Sequence, residues 1–111
     1  MSSSASPRQP SDCADLGQVR QEIDRVDAAL VGLIAERFGY VERAWQLKLE
    51  ARQEANVPWR NQQVIDKVRA RATERGLPPD LTEALWRQMI GWFIQYEEEK
   101  LRAKLEGKAR D

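Results

Sequence analysis

From Leu16 onward apolar residues return every three or four positions: Leu16, Val19, Ile23, Val26, Leu30 and Leu33, with Val31, Ile34, Phe38, Val41 and Trp45 widening the face beside them. That is the period of a helix, and the strict alternation that builds a strand is found nowhere in the chain. The pattern predicts a start at Asp15, where Gln18 three residues on completes a capping box. Neither proline nor a strong turn signal follows until Ala55-Asn56-Val57-Pro58, so the first helix is very long. A second opens with Pro58 in its first turn, runs through Val64, Ile65 and Val68, and stops at Gly76-Leu77-Pro78-Pro79. Asp80 then offers an N-cap with Glu83 at the third helical position. Leu81, Leu85, Trp86, Met89, Ile90, Phe93 and Ile94 give this third helix its apolar face, ahead of a charged tail. The expected fold class is all-α, with three helices and no internal repeat.

A first helix of about 38 residues would reach roughly 55 Å, well beyond the width of a folded domain of this length. Its apolar face therefore needs a helix from another chain. The simplest arrangement is a two-fold homodimer in which the long helices pair antiparallel and the shorter ones wrap around them, so that the two chains intertwine. Residues 1–14, rich in Ser and Pro, are expected to form a flexible N-terminal tail, 15–106 the helical domain, and 107–111 a C-terminal tail.

Composition narrows the function classes. A chain of 111 residues has room for one domain with a modest core, which is a second reason to expect partner chains. Lys+Arg and Asp+Glu stand at 18 each, so no whole-protein field draws in nucleic acid or a membrane surface. Cys13 is the one cysteine and histidine is absent. An internal disulfide, Cys/His zinc sites, and catalysis by a Ser-His or Cys-His pair are thereby excluded. The N-terminus has no apolar signal core and no apolar run approaches the roughly 20 residues of a membrane span, so a cytoplasmic protein is expected.

Candidate chemistry lies where the apolar pattern breaks. Arg37 takes the seam position that follows Leu30 and Leu33, where a charge is costly unless paired. Lys48 comes nearly three full turns later, so both cations project from one face about 16 Å apart along the axis, and their long side chains can converge on one small anion. Arg20 precedes Arg37 by about 25 Å along the same helix and is turned a quarter-turn from it. It can join such a cluster only from an antiparallel partner chain. Arg60 falls in the first turn of the second helix, and Glu97 continues the stripe of Trp86, Met89/Ile90 and Phe93 on the third.

Taken singly, these residues have plainer readings. Arg37 alone is also a snorkelling or salt-bridged core cation. Lys48 and Arg60 alone are surface charges, and Arg20 can pair locally with Asp24 one turn on. Asp24 and Asp27 read as partners for arginine rather than as catalytic acids, and the tryptophans as core.

Together the positions resemble a known family, the all-helical (AroQ) chorismate mutases with the related isochorismate-pyruvate lyases. The resemblance spans roughly residues 15 to 100. It rests on Val19-Arg20-Gln21-Glu22-Ile23-Asp24-Arg25-Val26-Asp27, then Leu30, Leu33, Ala35-Glu36-Arg37, and then Lys48. What the resemblance implies is a homodimer with shared active sites that binds the small dianion chorismate and rearranges it to prephenate, with no metal or cofactor, in aromatic amino acid biosynthesis. It makes Arg37, Lys48, Arg60, Asn61 and Glu97 the ligands from one subunit and Arg20 a ligand from the other. Arg20 and Arg37 would hold the two carboxylates, and Lys48 and Glu97 would flank the breaking ether bond.

The chain departs from the family pattern at several positions. Val57 stands where many mutases have Asp, Asn61 where they have Glu, Phe93 where some relatives have a small hydroxyl residue, and Glu97 where many bacterial members have Gln. Opposite an ether oxygen a glutamic acid donates a hydrogen bond only when protonated. Three readings follow: a chorismate mutase; an isochorismate-pyruvate lyase, which Asp12-Cys13 leading to Leu16 resembles; and a non-catalytic helical dimerisation module, for which Val57, Asn61 and Glu97 speak. The spacing from Lys48 to Arg60 fits the mutases better than the lyases.

Overall fold

Asp15 starts the long helix in the expected way. Its Oδ1 accepts the Gln18 N–H at 2.8 Å, which satisfies one donor that the helix leaves open, and the Gln18 Oε1 in return accepts the N–H of Ala14, the residue before the cap, at 2.8 Å. The computed structural model describes residues 6–110. In it, helix α1 spans Leu16–Ala51, α2 Pro58–Glu74 and α3 Pro79–Arg110, and every regular element among the described residues is helical. A short 3-10 turn at Pro10–Asp12 precedes α1, within the stretch expected to be a tail, and α3 continues past the boundary expected at 106.

The chain divides into two units between Gly39 and Tyr40. In the first, Arg8 donates to Gln21 Oε1 at 3.1 Å and to Glu22 Oε2 at 3.2 Å, tying the preceding segment to the first turns of α1. Glu22 also accepts from Arg25 Nε at 2.8 Å, and chiefly through that bond its carboxyl is held below the usual carboxylate range. The apolar stripe of this unit is open to solvent. Leu16 is 65% exposed, Ile23 51%, Leu30 50% and Leu33 62%, so within this unit the face that the sequence pattern builds is uncovered among the described residues.

The second unit holds the buried residues. Trp45 from α1, Ala55 from the loop and Leu101 from α3 form one cluster, with Leu49 and Tyr96 packed against it. Ile65 and Ala72 of α2 are buried where α2 meets α3. An ionic chain ties these two helices together: Arg69 Nη1 donates to Asp80 Oδ1 at 3.0 Å and to Glu83 Oε1 at 2.9 Å, and Arg87 Nε donates to Glu83 Oε2 at 2.6 Å. Glu83 lies below the usual carboxylate range, with Arg87 as the chief cause. The expected N-cap at Asp80 is corrected here. Pro79, with its φ already helical and no N–H to lose, takes the first helical position, so Asp80 falls inside the first turn and its carboxylate serves Arg69 instead.

The helix ends locate the loops. After α2 the Leu77 N–H reaches back to Ala72 O at 2.8 Å and the Gly76 N–H to Thr73 O at 3.2 Å. Gly76 has φ +73°, so this is a Schellman stop with glycine in the left-handed position. Helix α1 ends the same way without a glycine. Gln53 N–H bonds Lys48 O at 2.8 Å and Arg52 N–H bonds Leu49 O at 3.3 Å, with Arg52 itself at φ 56°. A side chain at that φ meets a steric penalty that glycine escapes, at some cost in chain entropy. Arg52→Gly is therefore expected to stabilise the fold by up to about 1 kcal/mol, read as a rise in the urea midpoint at unchanged slope; a lower midpoint would refute strain at this residue. No helix among the described residues is long and apolar enough to cross a membrane.

Candidate active site

The Schellman stop of α1 is built around Lys48. Its carbonyl receives the Gln53 N–H, and its ammonium donates to Ala55 O at 2.9 Å, to Glu97 Oε1 at 2.8 Å and to Glu97 Oε2 at 3.1 Å. All three ammonium protons therefore have acceptors. Backbone and side chain of one lysine clamp the α1–α2 loop to the end of α1 while the same ammonium reaches across to α3. The Glu97 side chain is 7% exposed and that of Lys48 20%. A carboxylate so enclosed is stable because it is paired; stripped of its cation it would be an uncompensated charge in a dry setting.

Glu97 owes its burial to phase. It lies on the inward stripe of α3, one turn beyond the half-buried Phe93, whereas Glu98, Glu99 and Lys100 face solvent. Helical spacing thus separates one acid from a run of charges that look alike in sequence. Among the described residues no buried side-chain polar atom lacks a hydrogen-bond partner.

The other predicted residues fall on two sides of the unit boundary. Arg60 and Asn61, in the first turn of α2, belong with Lys48 and Glu97 to the second unit. Arg60 is exposed and donates from Nη1 to Gln63 Oε1 at 2.6 Å. Asn61 Nδ2 donates to Asn56 Oδ1 at 2.7 Å, tying the loop to α2. Arg20, exposed, and Arg37, half-buried, stand on the stretch of α1 that belongs to the first unit. Lys48 and Glu97 are the members of the set that bond to one another directly. A cavity of about 910 Å³ has Lys48, Arg52 and Arg102 in its wall together with Glu54, Glu98 and Glu106, and Glu97 does not line it.

Sequence reasoning missed a neighbouring group. Glu42 Oε1 accepts from both Trp45 Nε1 at 2.7 Å and Tyr96 Oη at 2.6 Å. Tyr96 is the residue before Glu97, and Trp45 stands one turn before Lys48. The Tyr96 bond, and after it the Trp45 bond, holds the Glu42 carboxyl below its usual range, while the same carboxylate raises the Tyr96 phenol. Trp92 stacks on the Tyr96 ring with centroids 5.6 Å apart, and the Lys100 ammonium lies 5.4 Å from that ring's centroid. In sequence only the Glu42 and Trp45 spacing of three hints at any of this; Tyr96 joins through tertiary contact alone.

Lys48 and Glu97 place an ammonium and a carboxyl at one point, within reach of a small polar group. Comparison with known proteins gives the family. The family described as chorismate mutase type II matches residues 19–98 of the chain. The chain is 36% identical over 87 residues to the isochorismate pyruvate lyase of Pseudomonas aeruginosa, a match that covers 77% of this chain and 83% of that protein. It is 32% identical over 87 residues to the T-protein of Enterobacter agglomerans, with 78% of this chain and 23% of the T-protein covered. The matched span carries all six residues singled out above, on an all-helical fold: the chain belongs to the chorismate mutase type II family.

Proposed function

We propose that the protein is a chorismate mutase acting in the cytoplasm as an intertwined antiparallel homodimer, with Arg37, Lys48, Arg60, Asn61 and Glu97 of one chain and Arg20 of the other forming each active site. The Lys48–Glu97 pair carries this reading. An ammonium and a carboxyl held 2.8 Å apart in a largely enclosed setting put one donor within reach of an ether oxygen, beside a carboxyl that donates there only in its acid form. The open stripe of Leu16, Ile23, Leu30 and Leu33 supports the homodimer, since a contiguous apolar face of this kind is normally buried by a partner.

The reaction exchanges one bond for another within a single molecule: the ether C–O bond of chorismate breaks as a C–C bond forms, and prephenate results. It calls for no nucleophile, so a chain without histidine is suited to it. Arg20 and Arg37 would each take one carboxylate, fixing the flexible dianion in the folded conformer from which the new bond forms. Lys48 would leave the Glu97 carboxylate for the ether oxygen as negative charge grows there, while its bond to Ala55 O keeps the ammonium from swinging free. Arg60 and Asn61 would add contacts from α2.

A second reading, an isochorismate-pyruvate lyase, draws on the 36% identity to the Pseudomonas aeruginosa enzyme. The same cationic pocket would then eliminate pyruvate and leave salicylate. Purified protein incubated with chorismate, and separately with isochorismate, distinguishes the readings. Prephenate from chorismate is the expected product; salicylate with pyruvate would favour the lyase, and no product from either would leave a helical dimerisation module.

A further inference from the structure

Among the polar links that join α1 to α3 inside the second unit are two side by side, and the reaction proposed above draws on one of them. Lys48 and Glu97 form the first. When both turn toward a substrate, their mutual bond weakens, and the link between the helices at that level goes with it. The second link, from Tyr96 Oη to Glu42 Oε1 at 2.6 Å, reaches no substrate-facing group and remains. The packing of Trp45, Ala55 and Leu101, with Leu49 and Tyr96 against them, attracts without direction and tolerates sliding. A short charge-assisted bond does not.

We infer that Glu42 is a positioning residue: by accepting from Tyr96 of α3 and Trp45 of α1 on one oxygen, it fixes the register of the two helices and so holds Lys48 and Glu97 on target once the substrate has parted them. The placement is direct. Tyr96 precedes Glu97 in the chain, so fixing its hydroxyl fixes the turn from which Glu97 projects. Trp45 lies one turn before Lys48 and is 7% exposed, so its indole N–H anchors the last turns of α1. Both donors converge on Glu42 Oε1, and the low carboxyl and raised phenol keep acceptor charged and donor protonated across the neutral range. The stack of Trp92 on Tyr96 holds the ring in plane for that bond.

This inference rests on the proposed function for its kinetic readout, and it has a structural one besides. Tyr96→Phe removes the hydroxyl and keeps the ring. It is expected to lower kcat by about 10- to 100-fold, the scale of a small misplacement of reacting groups, with KM within about twofold because the carboxylate-binding arginines are untouched. Glu42→Ala should act alike, whereas Glu42→Gln, which keeps an acceptor oxygen at the same place, should recover most of the turnover. Thermal midpoints are measured alongside. Unchanged kcat in both Tyr96→Phe and Glu42→Ala, or losses in kcat that track the midpoints across all three variants, would overturn the inference.

Should the wild type transform neither chorismate nor isochorismate, the functional reading falls on its own and the register is read by nitrogen-15 NMR of lysine-labelled protein. The Lys48 ammonium signal, slowed in exchange by its Glu97 and Ala55 bonds, is expected to persist in the wild type and in Glu42→Gln and to broaden in Tyr96→Phe. Persistence in Tyr96→Phe as well would overturn the inference.

Discussion

Glu97→Gln is expected to turn over chorismate faster than the wild-type protein. The reason lies in what each side chain can offer the ether oxygen. A carboxylate only accepts, a carboxylic acid donates, and an amide donates at every pH. Glu97 in the structure lies between 2.8 and 3.1 Å from the Lys48 ammonium with both oxygens, an arrangement that suits an acceptor. As an acceptor toward Lys48, Glu97 has no hydrogen to offer the ether oxygen, whereas a glutamine there always has. The gain in kcat of Glu97→Gln should therefore approach the worth of one well-placed donor, about 100- to 1,000-fold. The amide can still accept from Lys48 through its oxygen, so the variant keeps the α1–α3 link. Initial rates of chorismate loss for both proteins provide the test; an equal kcat would take Glu97 out of the reaction.

That prediction begins from a residue legible in sequence, because Glu97 stands in the apolar phase of α3. The same holds for much of the fold. The apolar period gave all three helices, Asp15 with Gln18 gave the start of α1, and Gly76 gave the stop after α2. The less legible features share a physical reason: they depend on conformations or partners that leave no local mark. Helix α1 ends at Ala51, close to its expected length, but the means was hidden: Arg52 adopts a left-handed conformation usually signalled by glycine or asparagine. Asp80 resembled a cap until Pro79 took the first helical position and Arg69 claimed its carboxylate. Glu42 looked like one acid among many, since its partner Tyr96 lies 54 residues away and reaches it only across helices. Lys48 shows the converse. Alone it reads as a surface charge, and only its membership of a spaced set marked it, yet its ammonium finds acceptors in the α1–α2 loop and on α3.

Mixing two inactive variants, Arg20→Ala and Arg37→Ala, is expected to restore activity. Arg20 and Arg37 both lie on α1, seventeen residues apart in sequence, and a rigid helix keeps such residues about 25 Å from each other. No single dianion of chorismate's size bridges that gap. If both arginines bind the same substrate, one must come from a second chain, and the solvent-open face of Leu16, Ile23, Leu30 and Leu33 is the surface through which that chain would dock. Each variant alone loses one carboxylate ligand at every site and should fall by about 100- to 1,000-fold. In a heterodimer the two lesions segregate. One site pairs the intact Arg37 of the first chain with the intact Arg20 of the second, and the other site carries both losses. Random reassociation of equal amounts puts half of the chains in heterodimers, each with one working site of two, so about one quarter of wild-type activity should return. Mass spectrometry verifies heterodimer formation, and each variant mixed with itself serves as the control. If verified heterodimers stay as inactive as their parents, Arg20 and Arg37 do not meet around one substrate, and the shared active site is refuted even if the dimer stands.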